Sequence, residues 1–247
     1  MLDFKEKDEL LKDRENNEIL FHSIVGSQNY GLDNKNSDID TKAVVLLDFK
    51  DIIKKRTYNK DIKWEDDAIT SLKDLEEYKK LLVKSNINIL ETLFSKEYSY
   101  NNKFKDEIEE LLDNRENIAN IDPIRLLKSE RGFSFQVYKK NNEYNNDTYT
   151  KDSYQILKTE NFIKNFFIEK MSFSDSIKYY ENKNDIMNIK SNKIDIKEAK
   201  EILLKSFDNI DDMYEQIDKS INKSINEQTI KWLNDWNIRV YKKYLEI

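Results

Sequence analysis

Apolar and polar positions change their period once along this chain, near residue 72. Before that point the apolar residues come in short runs. Residues 18–25 (EILFHSIV) are mostly apolar and close on Gly26, which predicts a buried strand. Residues 38–47 (DIDTKAVVLL) predict a second strand, and residues 66–71 (DDAITS) a weaker third. Ahead of them, residues 3–16 predict a charged helix with Leu2, Leu10 and Leu11 as its apolar contacts. After Leu72 the spacing is helical. Leu75, Tyr78, Leu81 and Leu82 recur in this way, followed by Ile89, Leu90, Leu93 and Phe94.

From about residue 99 onward every pattern is helical, with predicted helices at 103–113, 123–140, 152–169, 195–219 and 225–245. Asp122 followed by Pro123 predicts a capped helix start. Ile230, Leu233, Val240 and Tyr244, with Trp232 and Trp236 beside them, predict a core-facing last helix. The run NNEYNND at 141–147 predicts a loop. The expected fold class is therefore α+β: a small mixed β-sheet domain over residues 1–98, then an α-helical domain over 99–247.

Composition narrows the function classes. The chain has 247 residues but only three Gly and one Pro. That excludes collagen-like, linker-like and turn-dense β architectures. Aromatic residues make up 12%, enough anchors for a folded core although 36% of the chain is charged. The net charge of −6 offers no global basic field, so any contact with nucleic acid has to be local. The absence of Cys excludes disulfides, thiol nucleophiles and Cys-based zinc sites, and it suits a cytoplasmic location. Met1–Asn17 is charged throughout, unlike a signal peptide, and no apolar run reaches the roughly 20 residues of a membrane span, so no membrane partner is expected. The single His excludes multi-His metal sites, and His22, alternating with Leu20 and Ile24, is expected in the core.

The chemistry concentrates in residues 26–42. A strand closing on Gly26 lets backbone approach a ligand, because no Cβ stands in the way. Ser27 adds a hydroxyl, and the turn after it adds N–H groups suited to phosphate oxygens. Asp38 and Asp40, two apart on a predicted strand, point to one face. Two such carboxylates repel each other unless cations bridge them, and an oxygen-rich pair suits Mg²⁺ (or Mn²⁺) joined to substrate phosphates. Lys42 shares their face and is positioned to meet a phosphate or neutralise the pair. The glycines do not fit the spacing of a dinucleotide-binding fingerprint.

With G-S followed by D-x-D on the next strand, the chain resembles the DNA polymerase β-like nucleotidyltransferase superfamily. Within it, the chain is most similar to the bacterial and phage predicted nucleotidyltransferases linked to RNA repair. Their G-S-x-x-Y-G-L…S-D-x-D is met by Gly26, Ser27, Tyr30, Gly31, Leu32, Ser37, Asp38 and Asp40. Residues 86–94 (NINILETLF) resemble their N-P-x-x-L-E helix, with Glu91 at the acid, and Gly132, Lys151 and Tyr154 match later positions.

The resemblance implies Mg²⁺-dependent transfer of an NMP from an NTP to an acceptor hydroxyl, on RNA or on a protein. It implies triphosphate at Gly26, Ser27, Tyr30 and Lys42, with Lys151 and Lys158 on a helix face that either clamps phosphate or is merely solvated. It also implies metal at Asp38 and Asp40, with a third carboxylate at Asp66 or Asp67. The active site is expected in the cleft between the two domains. Gln28, Gln155, Lys158 and Lys42 stand where that family carries other, mostly basic, residues. Gln28 and Gln155 favour one rival reading, a nucleotide-binding pseudoenzyme, while the spacing G-S-x10-D-x-D also resembles that of minimal antitoxin nucleotidyltransferases that adenylylate a partner protein, a reading the long helical half counts against.

Overall fold

A computed structural model describes residues 3–15, 17–26, 28–29, 37–130, 132, 162–178 and 210–246. The chain divides into two compact units, one of residues 1–121 with 224–247 and the other of residues 122–223. The fold is α+β, with a five-stranded sheet in the first unit. Among the described residues no helix is long and apolar enough to cross a membrane.

The sheet runs β3-β4-β2-β1-β5, with β1 Glu18–Ile24, β2 Thr41–Leu46, β3 Asn59–Lys63, β4 Ile69–Asp74 and β5 Tyr98–Tyr100. β2 and β4 are parallel, and the other pairs are antiparallel. β2 is shorter than the predicted 38–47. The reason lies in Asp40. Its carbonyl accepts from Val25 N–H (2.9 Å), while its carboxylate takes the Ile69 N–H (2.9 Å) that a ladder carbonyl would otherwise accept. β4 likewise starts at Ile69 rather than 66, because residues 64–68 form the hairpin turn from β3. Trp64 N–H donates to the Ala68 carbonyl (2.9 Å), and Asp67 takes a left-handed φ of 66° where a richer chain would place Gly. The sequence pattern missed β3 because only Ile62 of its five residues is buried, as suits an edge strand.

One face of the sheet is covered by α1 (Phe4–Arg14). A capping box between Asp3 and Glu6 starts it. Its buried stripe is Phe4, Lys7, Asp8 and Leu11, at i, i+3, i+4 and i+7, whereas the predicted contact Leu10 is 40% exposed. Leu11 packs with Ile19, Ala43, Val45 and Leu72 of the sheet, beside Trp64. Asp8 reaches His22 Nδ1 (2.9 Å), and Ser99 (2.6 Å) and Lys12 (2.6 Å) also donate to it. His22 lies in the core as expected, with Phe4 against its ring at 4.8 Å.

The other face packs against α3 (Leu75–Val83) and α4 (Ile87–Leu93). Tyr78 of α3 bonds Thr92 of α4 (2.8 Å), so the two helices brace each other. A short α2 (Phe49–Ile53) follows β2, and α5 (Lys105–Asp113) and α6 (Arg115–Ala119) follow β5. The last helix, α7 (Lys223–Leu245), returns to this unit. Leu233, Trp236 and Val240 are fully buried. Trp236 Nε1 donates to the Glu107 carbonyl (2.8 Å), and Arg239 grips Glu110 with contacts of 2.8 and 2.7 Å.

In the second unit, Asp122 caps the helix beginning at 123 by accepting from Arg125 N–H (2.9 Å). Phe162, Phe166, Phe167 and Phe173 cluster around the π-helical turn Ile163–Ile168 and the helix Phe173–Lys178. The helix Ile210–Ser220 carries Tyr214, whose ring Lys128 covers at 5.5 Å. The predicted loop 141–147 and most of the predicted helices 123–140, 152–169 and 195–219 lie outside the described residues.

Two outcomes follow from this packing. Trp236→Ala should lower stability by about 3–5 kcal/mol, the cost of a large buried aromatic, read from urea unfolding. An unchanged midpoint would show that α7 does not complete the sheet unit. His22 supplies the second. Burial pushes its pKa below the usual value, and the bond and charge of Asp8 restore only part of the shift. Burial raises Asp8, but bonds from His22, Lys12 and Ser99 outweigh it and hold the carboxyl well below the usual range. Both groups are lowered on folding, so both contribute stability that is present at high pH and lost on acidification. For His22 the loss begins near pH 6.5, where the unfolded imidazole takes up a proton, at a slope of up to about 1.4 kcal/mol per pH unit. Urea midpoints should fall between about pH 7.5 and 5.5, and His22→Gln should flatten that slope.

Candidate active site

The junction of β1 and β2 carries the site. After Ile24 the backbone turns at Gly26, whose φ is +71°, a conformation that L side chains rarely adopt. A Cβ at Gly26 would stand 3.9 Å from Asp40 Oδ2 and fill the space beside that carboxylate. The glycine and the aspartate thus face each other across the end of the sheet. Asp38 and Asp40 are both half-buried, in the irregular lead-in to β2. Asp40 Oδ1 is fixed by Ile69 N–H (2.9 Å). Asp40 Oδ2, beside the space that the missing Cβ leaves, is an oxygen donor of the kind a hard divalent cation takes.

Several elements hold this corner in place. Asn29, buried three residues beyond Gly26, donates to the Glu91 carbonyl (3.5 Å) and accepts from Lys96 N–H (3.1 Å), tying the loop to the end of α4. Lys42 follows Asp40 by two, opposite Ser23 on β1 and Ser71 on β4. Its ammonium donates to Glu91 Oε1 (2.5 Å) and to the Asn88 carbonyl (2.6 Å). Glu91, from the helix that resembles the family's L-E segment, therefore serves as the partner of Lys42. From the α1 side, Lys7 Nζ donates to the carbonyl of Ile39, the residue between the two aspartates (3.1 Å).

The two candidates for a third carboxylate both lie in the β3–β4 turn rather than on a strand. Asp66 is ion-paired with Lys7 (3.3 Å), and Asp67 is 81% exposed and pairs with Lys63 (2.7 Å). Beside Asp40 in the parallel register, β4 presents Ile69, and beside Lys42 it presents Ser71, which donates to Asp61 on β3 (2.7 Å). Among the described residues no group of three acidic or histidine side chains converges as a metal cage. Ser27, Tyr30, Gly31, Lys151, Tyr154, Gln155 and Lys158 lie outside the described residues. Gly132 and Arg125 belong to the second unit, where Arg125 pairs with Asp122 (3.2 Å).

Sequence reasoning missed Lys7 and Asn29. Lys7 had a readable signal, since it occupies an inward position of the 4-7-8-11 stripe, where a lysine needs a partner. Asn29 had none, because its two bonds are to main-chain groups distant in sequence.

No curated protein matches the chain. The sequence profile of the RNA repair pathway DNA polymerase beta family matches residues 5–125, a span that begins in α1 and holds the whole sheet. That span includes the turn at Gly26, both aspartates and the helix bearing Glu91. By this match residues 5–125 are similar to the RNA repair pathway DNA polymerase beta family, and the match supports a polymerase β-like nucleotidyltransferase.

Proposed function

We propose that the chain transfers a nucleoside monophosphate from an NTP to an acceptor hydroxyl on RNA. The observation that carries this reading is Gly26 set against the Asp40 carboxylate, inside the span that matches the family. Asp38 and Asp40 would hold Mg²⁺, which when bound offsets the triphosphate charge and acts as a Lewis acid. The chain's own groups do the rest. Gly26 leaves room for a phosphate oxygen, and Ser27 offers a hydroxyl to it. Ile69 N–H keeps Asp40 Oδ1 turned away, which leaves Oδ2 on the Gly26 side. Lys42, committed to Glu91, anchors α4 beneath the site. Tyr30, Lys151 and Lys158 complete the proposed nucleotide contacts from the sequence motif alone.

A second reading, nucleotide binding without turnover, draws on one observation: among the described residues no group of three acidic or histidine side chains is placed to hold a metal ion. One experiment separates the two readings. Purified protein is incubated with each α-labelled NTP, Mg²⁺ or Mn²⁺, and total RNA or lysate. Label should enter RNA with release of pyrophosphate, and Asp40→Asn should abolish both while the far-UV circular dichroism is unchanged. Nucleotide binding without pyrophosphate release would support the second reading. Label in protein instead of RNA would move the acceptor. Full activity in Asp40→Asn would sink the mechanism.

A further inference from the structure

Lys7 is the one charged residue of α1 whose side chain reaches the aspartate segment, and it is 0% exposed. Lysine is almost never so deeply buried unless its charge is matched. The Lys7 ammonium donates to the Ile39 carbonyl (3.1 Å) and to Asp66 Oδ1 (3.4 Å), and Asp66 Oδ2 stands 3.3 Å away as an ion-pair contact. The ammonium also lies 5.9 Å from the Trp64 ring centroid, on the hairpin that carries Asp66. So one buried cation joins three pieces of chain: α1, the residue between Asp38 and Asp40, and the β3–β4 turn.

From this geometry we infer that Lys7 is a positioning residue that clamps the aspartate segment through the Ile39 carbonyl, and that Asp66 is its counterion rather than a metal ligand. The inference rests on the proposed function, in which Asp38 and Asp40 hold a divalent cation. The electrostatics explain why two residues are needed. A lone buried ammonium next to a cation site would oppose the ion. Pairing it with Asp66 makes the clamp neutral, so it can fix the backbone without repelling the metal. Asp66 is thereby held to the α1 side by its salt bridge. The other fixings of Asp40, from Val25 N–H and Ile69 N–H, act on Asp40 itself, whereas Lys7 acts on the link between the two carboxylates.

The sign of the effect makes this testable. On charge alone, removing a cation near a metal site tightens metal binding. A clamp predicts the reverse. Mn²⁺ binding to the full chain, without nucleotide, is followed by the electron paramagnetic resonance of free Mn²⁺ for the wild type, Lys7→Met, Asp66→Asn and the double variant. Each single variant should raise the Mn²⁺ Kd about tenfold, and the double should stay within about threefold of the worse single, because the two residues act as one unit. An unchanged or lower Kd in Lys7→Met would overturn the clamp. A loss in Asp66→Asn that adds in full to that of Lys7→Met would make Asp66 a ligand in its own right. Lys7→Gln, which keeps a donor for the carbonyl, is the milder variant if Lys7→Met does not fold. Amide hydrogen exchange gives a readout free of metal. Lys7→Met or Lys7→Gln should speed exchange across residues 37–41 and leave α5 unchanged, and no change at 37–41 would overturn the inference. Wild-type protein that binds no Mn²⁺ would overturn the proposed function and leave hydrogen exchange to decide the clamp.

Discussion

Buried charge has to be matched, and in this fold that requirement organises α1. Two of the four residues on its inward stripe are charged, Lys7 and Asp8. Neither can be left unpaired without a desolvation penalty of several kcal/mol. Adjacent in sequence, they point to different targets. Asp8 gathers His22 of β1 and Ser99 of β5, while Lys7 gathers Ile39 ahead of β2 and Asp66 after β3. A wholly apolar stripe would have let α1 slide on the sheet. The charged pair fixes its register, because any slip separates both charges from their partners.

The opposite face uses the same device with different parts. There Lys42 rises from the sheet and Glu91 descends from α4. The loop after Gly26 is bound to that helix through Asn29. The site therefore lies between two charge-locked layers, one reached through α1 and one through α4. Preorganisation of this sort matters for phosphoryl transfer, where catalysis consists mainly of positioning and electrostatics.

Legibility in the sequence followed the range of the forces involved. α3, α5 and α7 were readable because each buries a periodic stripe, and β1 and α4 because each is a mostly apolar run buried almost throughout. The Asp122 cap was readable because its bond spans three residues. Gly26 was readable because in a glycine-poor chain a glycine at a strand end carries weight. β3 was not, since an edge strand such as NKDIK looks like a loop. The start of β2 was misplaced because the Asp40 side chain, not a change of pattern, ends the ladder. The partners of Lys42, Lys7 and Asn29 were invisible because each lies more than 30 residues away in sequence.

The sheet unit is assembled from both ends of the chain, with residues 122–223 between its two pieces. This affects the order of events during synthesis. Trp236 and Glu107 meet across 129 residues. As α5 leaves the ribosome, the apolar side that α7 will cover stays exposed while the whole second unit is made. Closing so long a loop costs little more than closing a short one in equilibrium terms, but the delay is real, because synthesis adds only about 5–20 residues per second. For several seconds the nascent chain carries a nearly complete sheet with one flank open. That interval, more than any weakness in the finished fold, is when this protein is most exposed to aggregation and to proteases.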